Sequence, residues 1–194
     1  MVSNDKIRMN ANLSEQRSPQ TWSFRKSVYD KITDKTIPML FLARVKEKKD
    51  EAAFFYKDLG IYKGVSWSQY WKEVEEFSLG LLELGLSKGD RVAIMGEACS
   101  EWFYSDLAIL CCGAVSYGVY STCSPEETYY TIEKSQAKFF IAENQEYVDK
   151  ILPFADKCPF LLKIIIIDTK ATFMYRDPRL ISFSDVQEVG RKRK

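Results

Sequence analysis

The chain has 194 residues, 46% of them apolar, enough to bury the core of one domain and too many for a globally disordered segment. Twenty-eight basic residues against 27 acidic ones leave a net charge of +1, so the charge balance singles out neither nucleic acid nor an anionic membrane as the main partner. Histidine is absent, which removes Ser-His-Asp and Cys-His devices together with the commonest metal ligand.

Residues 1–35 carry no clear period and read as a mobile N-terminal arm. Met1 to Ser18 is polar and lacks the apolar h-region of a secretory signal. Thr36 is placed to cap a helix, with Pro38 early in it and Ile37, Leu40, Phe41 and Val45 at helical spacing. Ala52–Tyr56 and Ile61–Val65, joined across Asp58-Leu59-Gly60, predict a hairpin. Ser66 with Gln69 has the capping-box pattern, and Tyr70, Val74, Phe77, Leu81 and Leu84 then share one helix face up to Gly85.

Arg91–Met95 predicts a strand, Glu101–Cys112 a buried helix and Val115–Tyr120 the next strand. Ser124-Pro125-Glu126-Glu127 is the clearest local signal, a cap followed by proline at the first helical position and glutamate at the third. That helix is expected to reach Ser135. Lys138–Ala142 predicts a strand, Glu146–Asp156 a helix, and Leu161–Asp168, with four consecutive isoleucines, a strand buried on both faces. Ser184 is one more helix start, and Arg191-Lys192-Arg193-Lys194 reads as a solvated basic tail. A hairpin followed by alternating helices and strands argues for an α/β fold with a mainly parallel sheet and flanking helices, in one domain over 36–190 with a tail at 191–194.

The longest apolar stretch, Leu107–Val119, is interrupted by Gly113, Ser116 and Gly118 and falls short of the roughly 20 residues of a membrane helix. The expectation is a cytoplasmic protein, peripheral on membranes at most, for which the sequon at Asn12 has no role.

The search for chemistry yields little. No two of the nine glycines lie closer than four residues, which excludes G-x-G-x-x-G; no G-x-x-x-x-G-K-[ST] occurs either, so a phosphate cradle of clustered N–H groups is absent from the sequence. Cys99, Cys111, Cys112, Cys123 and Cys158 form no C-x-x-C pair, and the vicinal two sit in an apolar run as core thiols. Glu73, Glu75 and Glu76 read as the polar face of a helix, and Glu126 and Glu127 as dipole-favoured acids of a first turn. Cys123-Ser124 has no base beside it. Trp67, Tyr70, Trp71, Trp102, Phe103 and Tyr104 have no basic stripe for stacking nucleic acid and read as core. No catalytic, cofactor-binding or metal-binding residue is assigned.

The order of specific phrases carries a resemblance. Thr36-Ile-Pro-Met-Leu-Phe41, Lys57-Asp-Leu-Gly-Ile-Tyr62 with Val65-Ser-Trp67, and Gly80-Leu-Leu-Glu-Leu-Gly85 with Lys88-Gly-Asp-Arg-Val-Ala-Ile94 follow one another. Glu97, Glu101 and Trp102 then resemble an "NRPEW" stretch from which Ala98 and Cys99 depart. Gly118-Val-Tyr-Ser-Thr-Cys-Ser-Pro-Glu-Glu127 resembles "GVYPTSTPEE", and Ala142-Glu143, Gln145–Lys150 and Tyr175–Leu180 continue the series. Over about residues 36–190 the chain resembles the N-terminal part of the large domain of AMP-forming long-chain fatty acid–CoA ligases.

The resemblance implies activation of a fatty acid with ATP and Mg²⁺ to an acyl-adenylate and pyrophosphate, then displacement of AMP by the CoA thiol. The family's "TSGTTGxPK" loop, adenine motif, ribose aspartate and C-terminal lysine have no counterpart in these 194 residues, so the chain by itself is expected to be catalytically incomplete. Three readings stay open: a shortened form of an ordinary ligase, one half of a split enzyme whose partner is the remaining C-terminal portion, and a non-catalytic binding module.

Overall fold

The structure, a computed structural model, describes residues 35–194. The expected N-terminal arm lies almost wholly outside the described residues. Two compact units divide between Leu40 and Phe41. Of the first, Met1–Leu40, the described part is the opening of helix α1 (Ile37–Lys48), where the Met39 N–H donates to Thr36 Oγ1 at 3.4 Å. Everything below concerns the second unit.

Of α1, Phe41 is buried and Val45 packs against the core, a narrower stripe than the spacing suggested. Strands β1 (Ala52–Asp58) and β2 (Ile61–Ser66) pair antiparallel across a two-residue turn in which Leu59 and Gly60 both have positive φ, +47° and +85°. Such a primed turn matches the twist of its strands. Helix α2 (Trp67–Glu83) starts in the capping box expected at Ser66, whose Oγ accepts from the Gln69 N–H while Gln69 Oε1 accepts from the Ser66 N–H. It ends where Gly85, at φ +100°, lets the Leu86 N–H reach back to the Leu81 carbonyl.

Then follow β3 (Arg91–Met95), α3 (Ser100–Cys111), β4 (Val115–Val119), α4 (Pro125–Ser135), β5 (Phe139–Ala142), α5 (Gln145–Ile151), a 3₁₀ segment (Leu152–Lys157), β6 (Lys163–Ile166), β7 (Leu180–Ser182) and α6 (Phe183–Arg193). The last five strands form one sheet in the order β4-β3-β5-β6-β7, parallel throughout. Side chains alternate across it. Val92, Ile94, Phe139, Ile141 and Ile165 face the layer of α2, α3 and α6. Ala93, Met95, Phe140, Ala142, Ile164 and Ile166 face α4, α5 and the 3₁₀ segment. Over the inner strands β3, β5 and β6 each face is covered, which is why these read as apolar runs, whereas the edge strands β4 and β7 are less buried.

Four details depart from expectation. The helix expected over Glu146–Asp156 stops at Ile151 and tightens to 3₁₀ where Pro153 has no N–H to donate. The isoleucine-rich strand is shorter than its apolar run and lies between β5 and β7. The final helix begins at the Ser182 cap, two residues ahead of Ser184, and a short strand precedes it.

The fourth departure is the basic quartet, which is not a free tail. Arg191, Lys192 and Arg193 form the last turn of α6, and α6 lies against α2. The two helices touch backbone to backbone: a Cβ on Gly80 would fall 2.0 Å from the Val186 carbonyl oxygen, and one on Gly190 would fall 1.9 Å from that of Glu76. That contact buries Glu76, whose Oε2 accepts from Arg191 Nη1 at 2.8 Å. Glu73 accepts from Gln187 at 2.6 Å, Glu83 pairs with Arg193 at 3.0 Å, and Glu75 pairs with Lys194. The acids expected on a solvated face are the docking face for α6.

Candidate functional site

In an open parallel sheet the place for a ligand is the crevice beyond the carboxyl ends of the strands, where the connections part in opposite directions. Here the chain leaves β3 for β4 on one side and then crosses back to β5 on the other. The crevice therefore lies over Met95 and Ala142, bounded by residues 96–99 and 143–144.

The chain itself fills it. Glu143 Oε2 accepts from the Glu97 N–H at 2.6 Å, and the Glu143 N–H donates to the Met95 carbonyl at 3.0 Å. Gly96 is needed here, because a Cβ would lie 2.5 Å from Glu143 Cβ. Further along, the Asp168 N–H donates to the Glu143 carbonyl at 2.7 Å. The loop after β4 is tied down by Lys150 Nζ, which donates to the Ser121 carbonyl at 2.6 Å.

Among the described residues the crevice presents the Glu143 carboxylate, with Oε2 engaged by the Glu97 N–H. Among the described residues no three Asp, Glu, Cys or His side chains gather as metal ligands.

A groove of about 660 Å³ opens beside the crevice, between the hairpin, the first turns of α2 and the start of α3. Phe54 and Tyr56 line one side, Gln69 and Glu73 another, and Glu101 and Tyr104 a third. Burial, with the charges of Glu73 and Glu101 adding to it, pushes the Tyr104 phenol up to about 12. Burial pushes Tyr70 higher still. Neither phenol serves as a base near neutral pH. Cys99, at the N-cap of α3, makes no capping bond and its thiol is also raised, chiefly by burial. The thiolate that nucleophilic attack requires is disfavoured.

The aromatic set expected as core is mostly core. Tyr70 meets Phe41 edge-on at 4.8 Å and Tyr104 at 5.4 Å, Phe54 meets Tyr70 at 5.2 Å, and Trp67 and Trp71 pack around Phe41. Phe103 stays half exposed. Ser124 is committed to its capping box, with Oγ accepting from the Glu127 N–H at 3.2 Å while Glu127 Oε2 accepts from the Ser124 N–H at 2.8 Å. The arrangement can hold shape and exclude water; it offers no proton relay and no activated nucleophile. The Glu97–Glu143 clasp was not read from the sequence. Its one signal is the acid Glu143 directly after the apolar strand β5, since Glu97 takes part through its backbone N–H.

Residues 41–185 match the family described as AMP-binding enzyme. The long-chain-fatty-acid–CoA ligase ACSBG2 of Xenopus laevis is 29% identical over 156 residues, which cover 80% of this chain and 21% of that protein. The corresponding ACSBG1 of Bos taurus is 28% identical over 158 residues, 81% and 22% of the two chains. The chain thus spans about a fifth of the length of the curated relatives it matches. Among solved structures, the anthranilate CoA ligase AuaEII in complex with anthranoyl-AMP superposes with a TM-score of 0.67 at 21% identity, over 78% of this chain and 27% of that one. The A-PCP didomain of a carboxylic acid reductase from Segniliparus rugosus, in complex with AMP, gives 0.67 at 16% identity over 86% and 28%. These two share the fold.

Proposed function

Because the chain belongs to the AMP-binding enzyme family, we propose that it supplies the N-terminal α/β unit of a long-chain fatty acid–CoA ligase. The observation that carries the reading is the family match over residues 41–185, which spans the parallel sheet and its helices up to the start of α6. The named long-chain ligases among its relatives support the substrate class.

The proposed reaction of the complete enzyme has two steps. A fatty acid carboxylate attacks the α-phosphorus of ATP, with Mg²⁺, and pyrophosphate leaves. The CoA thiol then attacks the acyl carbon, and AMP leaves with the bonding electrons. Charge develops on the α-phosphate in the first step and calls for preorganised donors and cations. No loop of the TSGTTGxPK type occurs in this chain. Its part in the proposal is the scaffold against which a polypeptide bearing the phosphate loop and lysine completes the site.

The test is a graft. Residues 41–185 replace the matching span of the Xenopus laevis relative, and acyl-CoA formation from palmitate is followed. Activity within about tenfold of the parent supports the proposal. A folded graft without activity, beside an active parent, refutes it. A second reading, a binding module that folds alone, draws on the coverage of both sheet faces by the chain's own helices. A cooperatively melting monomer that binds fatty acid or ATP unaided favours it.

A further inference from the structure

The β1–β2 hairpin ends in a turn built against its own backbone preference. Position 59 lies in the left-handed region at φ +47°, where Asn, Asp or Gly is favoured, and it holds a leucine. That leucine is 96% exposed, so no packing repays the strain. Behind it Ile61 is 66% exposed, Tyr62 71% and Phe55 65%. Single exposed apolar residues need no explanation, but here four gather on one two-stranded ribbon, Phe55 and Tyr62 on one face, Ile61 on the other and Leu59 at the turn.

The pairing register orders that patch. Lys57 stands opposite Tyr62 and Phe55 opposite Gly64, so these four share a face. Lys57 Nζ lies 6.0 Å from the Tyr62 ring centroid. Asp58, the one acid of the ribbon's outer half, is paired with Lys63 at 2.5 Å. Among the described residues Lys57 enters no ion pair, although it lines the groove that Glu73 and Glu101 also line. From tip to base the ribbon therefore reads apolar, then aromatic with a cation, and Tyr62 and Lys57 lie about 7 Å behind Leu59 at strand rise.

We propose that this hairpin is a contact for a phospholipid bilayer carrying anionic headgroups, with Leu59 and Ile61 entering the acyl boundary and Tyr62, Phe55 and Lys57 at headgroup depth. The layering follows the depth profile of an interface, where aromatic rings and lysines sit at the headgroups and aliphatic groups reach 5–10 Å further. A tip only two residues wide, with Leu59 exposed among the described residues, offers a protein partner little complementary area. A fluid phase closes around it without a preformed pocket. The positive local balance fits an anionic surface, despite the near-zero charge of the whole chain.

The test uses the full chain and large unilamellar vesicles of phosphatidylcholine with or without 30% phosphatidylserine, separated by flotation. Wild type is expected to float with the anionic vesicles and less so at high salt. Leu59→Asn places a residue suited to the left-handed turn, so it is expected to melt at a higher temperature than wild type while its vesicle partition falls about tenfold. Lys57→Gln is expected to lose the preference for phosphatidylserine. Failure of wild type to float, or flotation of Leu59→Asn equal to wild type, overturns the proposal. So does a dimer in sedimentation that Leu59→Asn dissolves without any vesicle binding, which would make the hairpin a protein contact.

Discussion

Substituting Gly80 by alanine separates two opposed expectations. In an ordinary helix interior the change stabilises by about 1 kcal/mol. Here the new methyl would sit 2.0 Å from the Val186 carbonyl oxygen and 2.8 Å from Val186 Cγ1. Backbone cannot yield locally, so α6 must part from α2. Parting forfeits the stack of Phe183 on Phe77 at 4.1 Å and the burial of Val186. At about 1.5–3 kcal/mol for each side chain, less the helix-propensity gain of about 1, the net loss is about 2–5 kcal/mol. Gly190→Ala makes the same clash from the other side, at 1.9 Å from the Glu76 carbonyl oxygen. Once α6 has lifted, the second substitution has nothing left to break, so the double variant should be no worse than the worse single one. Urea unfolding followed by circular dichroism reads all three. A Gly80→Ala chain more stable than wild type would refute the backbone contact.

Three further outcomes follow from the same coordinates. Ser124→Ala removes one arm of the α4 capping box and should cost about 1 kcal/mol, while Ser124→Asp should keep most of it, both read from urea midpoints. Hydrogen bonds from the Arg179 guanidinium and N–H hold the Asp177 carboxyl below its usual value of 3.8. The stability this adds is fully present above that value and is lost as pH falls through the lower folded value, so the melting temperature of Asp177→Asn should fall less steeply than wild type below about pH 4. Burial pushes the Cys112 thiol up to about 12, so at pH 8 a maleimide should label it slowly in the native chain and rapidly in denaturant, as mass spectrometry of the labelled peptides would record.

Elements whose signals are local were legible. The boxes at Ser66 and Ser124 are set by residues three apart, and the structure holds both. The parallel α/β class could be read from alternation, since strands covered on two faces must be apolar throughout. What escaped depends on residues far apart in sequence. Helix α6 is sparse in apolar residues; its start was legible near Ser184, but its basic end read as a solvated tail. It docks because two glycines more than a hundred positions apart let backbones touch, whereas glycine within a helix reads locally as weakness. Glu76 looked solvated for the same reason: its partner Arg191 arrives on a helix that its own neighbours do not foretell. The strand order escaped as well, because alternation does not say on which side of β3 each crossover lands. With the order unknown, the Glu97–Glu143 clasp over the crevice was out of reach. The resemblance over residues 36–190 supplied the family, which the match over 41–185 shows.

The most direct test of the proposed division of labour is fatty-acid-dependent exchange of labelled pyrophosphate into ATP by the purified 194-residue chain. The account predicts no exchange above buffer, at any fatty acid length, because no phosphate loop of the TSGTTGxPK type occurs in its sequence. Exchange that requires fatty acid and saturates with ATP would contradict it and place a complete adenylation site within this chain.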